Sequence, residues 1–253
     1  LTNVNASDNA AYSGLALYNN YSNAYGNILI KNSAKNAYND YSGNGGYGAE
    51  MYSYGTITLS NITVKENGGS GLYVNNSVAS SAKNVTLSRI ISDDNQGEVG
   101  IDVYSNGIIN LSYLEDYGND SHGVHLDNSS ATLPQAVIVS RTSIDGNSGG
   151  YGLYIESIGD VTLNNVSAIN CMDGAYIDNS FSTTAKVTIL GTLGQNTFSG
   201  NSVDGLSVVS NGNVSLTSIR ADDNGRKGIF GDVAGSITGL TCGLPATVTR
   251  GWI

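Results

Sequence analysis

Proline is nearly missing from this chain, at 2 of 253 residues, and cysteine and methionine are equally scarce at 2 each. Two cysteines cannot build a disulfide framework. Charge is thin as well: 13% of residues carry it, about half the usual share. The 11 Lys and Arg stand unclustered against 21 Asp and Glu, for a formal net charge of −10. Binding phosphates needs grouped basic side chains, so nucleic acid and anionic membranes are excluded as partners. No apolar run approaches the roughly 18 residues of a bilayer span, so no membrane-spanning segment is expected. Yet 40% of the chain is hydrophobic, and its apolar residues recur too regularly for a disordered segment.

What is plentiful is Gly (33), Asn (31) and Tyr (16). Few Lys, many Asn, Ser, Thr and Tyr, and an acidic balance suggest an extracellular or cell-surface protein. The chain opens at Leu1 with neither an initiator Met nor a leader, which reads as a processed chain or a piece of a longer one.

The Gly and Asn fall into an internal repeat. A Gly opens each of nine short apolar-x-apolar triplets: Gly14, Gly48, Gly71, Gly100, Gly123, Gly152, Gly174, Gly205 and Gly228. An Asn stands four or five residues before each: Asn9, Asn44, Asn67, Asn95, Asn119, Asn147, Asn170, Asn201 and Asn224. A second triplet leads each unit, starting near 28, 57, 85, 109, 137, 161, 187, 214 and 237. A third, less regular apolar stretch lies between the two.

Apolar residues at every second position mean a strand with one buried face. Three short strands and three bends in roughly 25 residues suit one turn of a parallel β-helix and leave no room for a helix per repeat. The expected fold is therefore all-β: one right-handed, three-sided parallel β-solenoid of about nine to ten coils over residues 1–240. Residues 241–253 are expected to form an irregular C-terminal segment, a cap or a contact with a neighbour. Within the coils, Asn44, Asn67, Asn95, Asn119, Asn147, Asn170, Asn201 and Asn224 are read as a ladder of amides, each bonding the next. Gly is expected to supply a positive φ or a close approach where it opens a triplet. Extra residues after the Gly triplet, as at 75–84 and 128–135, should project as loops from one corner.

The stretches Asn-Gly-Gly-Ser-Gly-Leu-Tyr-Val (67–74) and Val-Thr-Leu-Asn-Asn-Val-Ser (161–167) resemble the consensus coil of the right-handed parallel β-helix repeat proteins. The resemblance covers nearly the whole chain. It implies a fold shared by pectin-cleaving enzymes, phage tailspikes and adhesins, so it implies no single function. The enzyme signatures are incomplete: Asp93-Asp94 and Asp222-Asp223 sit in Asp-Asp-Asn bends, and His122-Gly123 is half of a Gly-His-Gly.

On the Gly-triplet strands, one outward column reads Ala16, Glu50, Tyr73, Asp102, His125, Tyr154, Tyr176, Ser207 and Phe230. The next reads Tyr18, Tyr52, Asn75, Tyr104, Asp127, Glu156, Asp178, Val209 and Asp232. Neighbouring coils would stack Asp127, Glu156 and Asp178 about 5 Å apart, with His125 beside them. That spacing suits a carboxylate pair for glycoside hydrolysis, and these four residues are the catalytic candidates. Tyr73, Tyr104, Tyr154 and Tyr176 are candidates for stacking on sugar rings. Asp93, Asp94, Asp222 and Asp223 are the candidate ligands for Ca²⁺, the one cofactor the sequence leaves open, although such residues more often make Asx turns.

Cys171 and Cys242 should lie three coils, about 14 Å, apart, beyond reach of a disulfide, and are expected to be free thiols. The leading reading of function is a non-enzymatic structural or adhesive β-solenoid, self-associating through uncapped ends or continuing into flanking coils of a longer chain. The alternative is a polysaccharide-binding or polysaccharide-cleaving module, a hydrolase or lyase, with glycans as partners.

Overall fold

In the computed structural model, residues 1–21, 26–32, 37–97 and 99–239 and the backbone of the strand Thr247–Thr249 are described. Their strands wind a right-handed parallel β-solenoid of about eight turns, without helix. Every strand pair is parallel and joins strands of successive coils. Ile101 lies between Leu72 of the preceding coil and Val124 of the next, so residues some two dozen positions apart become neighbours.

The Gly triplets form a ten-stranded sheet. It runs through Leu15–Asn19, Ala49–Ser53, Leu72–Asn75, Val99–Tyr104, His122–Asp127, Tyr151–Glu156, Asp173–Asn179, Leu206–Ser210, Ile229–Val233 and Thr247–Thr249. The leading triplets build a second, twelve-stranded sheet. Here the sequence expectation is refined. The second and third apolar stretches of a coil are halves of one nine-residue strand, as in Ile57–Lys65, Val85–Asp93, Ile109–Tyr117, Val137–Asp145 and Val161–Ile169. Each bends at its fifth residue, which adopts the left-handed conformation: Asn61, Arg89, Tyr113, Arg141 and Asn165, with φ between 49° and 61°.

Inward side chains stack in rows. One runs Ile57, Val85, Ile109, Val137, Val161, Val187; another runs Leu72, Ile101, Val124, Leu153. All are fully buried. Truncating one such Leu to Ala would cost about 2–5 kcal/mol, because the close-packed row cannot collapse onto the void.

The Asn column forms a hydrogen-bonded ladder at the corner before the Gly triplet. Nδ2 of Asn44 donates to Oδ1 of Asn67 (3.1 Å), Asn67 to Asn95 (2.8 Å), Asn95 to Asn119 (2.9 Å) and Asn119 to Asn147 (3.1 Å). Asn201 donates likewise to Asn224 (3.0 Å). Asn170 is not a rung. It takes the left-handed seat just before the ladder (φ 53°), faces outward and donates to Asp145. Cys171 holds the rung itself, its backbone N–H donating to Asn201 Oδ1 (3.0 Å). The reason is conformational: the residue before each rung is left-handed (Gly43, Glu66, Asp94, Gly118, Gly146, Gly200, Asp223), and Asn tolerates that seat as Cys does not.

The column glycines are needed for close approach and not for φ, since none of them appears among the positive-φ residues. A Cβ on Gly71 would sit 2.7 Å from the Gly100 carbonyl oxygen and 2.8 Å from the Asn95 amide.

Past the triplet a second buried column alternates Ser and Asn: Ser53, Asn76, Ser105, Asn128, Ser157, Asn179, Ser210. Each Ser hydroxyl accepts the N–H of a Gly two residues on, closing a short bend. Asn76 and Asn128 instead span a longer loop, donating to the carbonyls of Lys83 and Gln135. Coils therefore come in alternating short and long forms. Among the described residues, no helix is long and apolar enough to cross a membrane. Cys171 is a free thiol, whereas Cys242 lies outside the described residues.

Candidate functional site

The outward face of the ten-stranded sheet carries both anticipated columns, rung for rung. Tyr73, Asp102, His125, Tyr154, Tyr176, Ser207 and Phe230 are register partners in turn. So are Tyr104, Asp127, Glu156 and Asp178.

The rings of this face form a continuous chain of contacts. Ring centroids are 5.3 Å apart for Tyr18–Tyr52 and Tyr52–Tyr73, 5.8 Å for Tyr73–Tyr104 and 5.4 Å for Tyr104–His125. The chain goes on through His125–Tyr154 at 4.9 Å and Tyr154–Tyr176 at 5.6 Å. Three rings missing from the anticipated columns widen it: Tyr47 against Tyr73, and His122 and Tyr151 against Tyr154. Each of these three stands immediately before a column Gly, and that recurrence is the signal that would have found them. Each interior ring has ring neighbours on both sides along the axis. Tyr73, Tyr104 and Tyr154 therefore turn much of their surface on one another. Tyr176 ends the chain, because the next rung is Ser207.

His125 is the hub of the polar groups and is only 8% exposed. Its Nδ1 lies 2.8 Å from Asp102 Oδ1 and its Nε2 lies 3.4 Å from Glu156 Oε2. Burial works against a charged ring. The hydrogen bond and charge of Asp102, with Asp127 and Glu156 adding to them, outweigh it and raise the histidine pKa above its ordinary value. Asp102 stood in the column without being singled out. Burial, and then the carboxylates beside them, push the phenols of Tyr104 and Tyr154 well above their usual range.

The other two carboxylates are engaged locally. Asp127 Oδ1 accepts the backbone N–H of Ser129 (2.7 Å), and Asp178 Oδ1 accepts the N–H and hydroxyl of Ser180 (2.9 and 2.6 Å). Both are Asx turns at the strand end. The structure thus brings Asp127, Glu156, Asp178 and His125 together on three successive strands. Only Glu156 faces the imidazole, and an imidazole held between two carboxylates retains its proton more tightly than a free one.

Asp93 pairs with Lys65 (2.8 Å) and Asp222 with Arg220 (2.7 Å), while Asp94 and Asp223 occupy left-handed seats before ladder residues. Among the described residues, no three His, Cys, Asp or Glu side chains converge in a way that could hold a metal ion.

Where the aromatic chain stops, a hollow of about 280 Å³ opens over Ser207. Tyr151 and Tyr176 line one side, and Phe230 lines the other, with Lys227 Nζ 3.8 Å from its ring centroid. Asp204 at its edge accepts two hydrogen bonds from Arg226, at 3.0 and 2.6 Å.

Coil-on-coil pairing, an amide ladder and inward aliphatic rows define the class as a parallel β-solenoid. Residues 26–189, well over half of the chain, match the family described as right handed beta helix region, and the chain belongs to it. No curated protein and no solved structure matches it.

Proposed function

We propose that this protein is a non-catalytic structural or adhesive β-solenoid of an extracellular or cell-surface assembly. One observation carries the reading: the groups of the broad face that could do chemistry are engaged with one another. Asp102 and Glu156 hold His125, Asp127 and Asp178 close turns, and the rings stack in series. Such a face stiffens a rod and offers a long surface for contact. Incubating the purified protein with a polysaccharide panel should release no reducing or unsaturated ends. Turnover that disappears in Asp127→Asn or Glu156→Gln would overturn the reading.

The hollow over Ser207 favours a second reading, that of a glycan-binding module. Strands two rungs apart are separated by about 10 Å. A puckered sugar ring between two aromatic walls needs about 8–9 Å, against about 7 Å for a flat ring. Ser207→Tyr should fill the hollow and abolish any glycan binding measured by microarray or calorimetry; binding that persists would place it elsewhere.

A further inference from the structure

The kinked sheet carries an arrangement that neither reading uses. At its bend, five successive rungs hold a left-handed residue: Asn61, Arg89, Tyr113, Arg141 and Asn165. The outer two are Asn, which suits that conformation. The middle three are not, and a bulky residue there costs on the order of 1 kcal/mol or more. Three consecutive unfavourable choices, flanked by favourable ones, place a cation, a phenol and a cation side by side along the axis.

These three side chains line a groove of about 590 Å³ along the bend. Tyr113 is 51% exposed, with the Arg141 guanidinium carbon 5.1 Å from its ring centroid. Arg89 and Arg141 are exposed, and among the described residues neither makes an ion pair. Yet the chain is net acidic by 10 charges, and Arg220 and Arg226 are each bound to a carboxylate. Glu115, Ser143 and Ser167 face the same groove from the second half of the strands.

We propose that this groove binds a linear, hydroxyl-rich ligand carrying sulfate or carboxylate groups about 10 Å apart, the spacing of Arg89 and Arg141 two rungs from one another. Each guanidinium takes one oxyanion in forked hydrogen bonds, and the backbone of the ligand lies across Tyr113. Glu115 and the serines accept and donate to its hydroxyls. Glu115, within a net-negative chain, also repels a densely charged polymer such as a nucleic acid, so sparse charge and hydroxyls are both required.

The flanking rungs supply the test. Arg89→Asn with Arg141→Asn removes both cations and installs the residue found at positions 61 and 165, so the melting temperature should hold or rise. Lightly sulfated dextran is titrated into the wild type by calorimetry at low ionic strength, with neutral dextran and poly-glutamate of similar length as comparisons. Binding to sulfated dextran alone, weakened at least tenfold in the double variant, is the expected result. Equal binding of neutral dextran or of poly-glutamate, undiminished binding by the variant, or a variant that melts well below the wild type would each overturn the proposal. In the last case the arginines would be holding the bend itself.

Discussion

Replacing Cys171 by Asn should repair the one break in the amide ladder and stabilise the protein. At intact rungs an amide oxygen accepts two hydrogen bonds from the coil below. Asn119 Oδ1 takes the backbone N–H of Asn95 at 3.0 Å and its Nδ2 at 2.9 Å. At the Cys171 rung only a thiol sulfur is present, 4.0 Å from Asn147 Nδ2. An amide oxygen at position 171 would replace the weakly accepting sulfur for both Asn147 donors inside a fully buried corner. At about 1 kcal/mol net for each full bond, the gain is up to about 2 kcal/mol, or up to about 4–8 °C in melting temperature for a cooperative chain of this size. The space exists, because a Cβ placed on the column Gly under this rung would stand 2.8 Å from Sγ, just as one on other column glycines would stand 2.5–2.8 Å from a ladder Nδ2. Thermal unfolding followed by circular dichroism gives the shift, and hydrogen exchange at the Asn147 amide localises it. A lower melting temperature, or an Asn147 amide that exchanges as fast as before, would refute the argument.

Asp116 is fully buried, and desolvation outweighs the donors Asn147, Ser92 and Asn119 to raise its pKa to about 7. An acid raised on folding resists ionisation, so its cost is absent below about pH 4 and grows to on the order of 4 kcal/mol by neutrality; Asp116→Ser, copying the rung at Ser92, should flatten urea-unfolding stability between pH 4 and 7. The His125 pKa is raised, so its contribution is present in acid and fades as pH climbs through the folded pKa. An NMR titration of His125 should show a pKa above its ordinary value that drops in Asp102→Asn, and an unchanged pKa in that variant would rule out the pairing. Gly71→Ala forces a methyl against the Gly100 carbonyl and the Asn95 amide and should cost about 1–3 kcal/mol or more by calorimetry.

The fold was legible because parallel, in-register coils copy one pattern. A column such as Tyr104, Asp127, Glu156, Asp178 can be written down once two rungs are aligned. Three features escaped that alignment for physical reasons. Asn170 satisfies the spacing to Gly174, but its predecessor Ile169 lacks the left-handed bias that Gly or Asp gives the other rungs except at Glu66. The Ser/Asn alternation from Ser53 to Ser157 left its trace as coil spacings of 28 and 24 residues in turn. The kink at Arg89, Tyr113 and Arg141 was hidden because those residues contradict the backbone preference of their own seat. Partnerships on the broad face, such as Asp102 with His125, depend on rotamers and not on register, and the pattern carries no information on rotamers.

The Cys171 break and the aromatic chain fall at one interface, and their magnitudes explain how the coil tolerates the gap. In a solenoid each coil is held chiefly by its two neighbours, so a local deficit has to be met locally. Between Tyr151–Glu156 and Asp173–Asn179 the ladder has weaker contacts to the Cys171 sulfur in place of two bonds to an amide oxygen, a deficit of up to about 2 kcal/mol. Across the same interface Tyr176 packs on Tyr151 at 5.2 Å and on Tyr154 at 5.6 Å. Two aromatic pairs contribute about 1–3 kcal/mol beyond their buried area, which offsets the deficit. Two rings of one coil contact the same ring of the next also where Tyr47 and Tyr52 meet Tyr73 and where His122 and His125 meet Tyr154. Paired rings of this kind recur along the broad face, and one such pair spans the interface with the defective rung. That placement accounts for Tyr151 and Tyr176 as cohesion between coils, and leaves the exposed end of the chain at Ser207 as the part of this face free to meet a ligand.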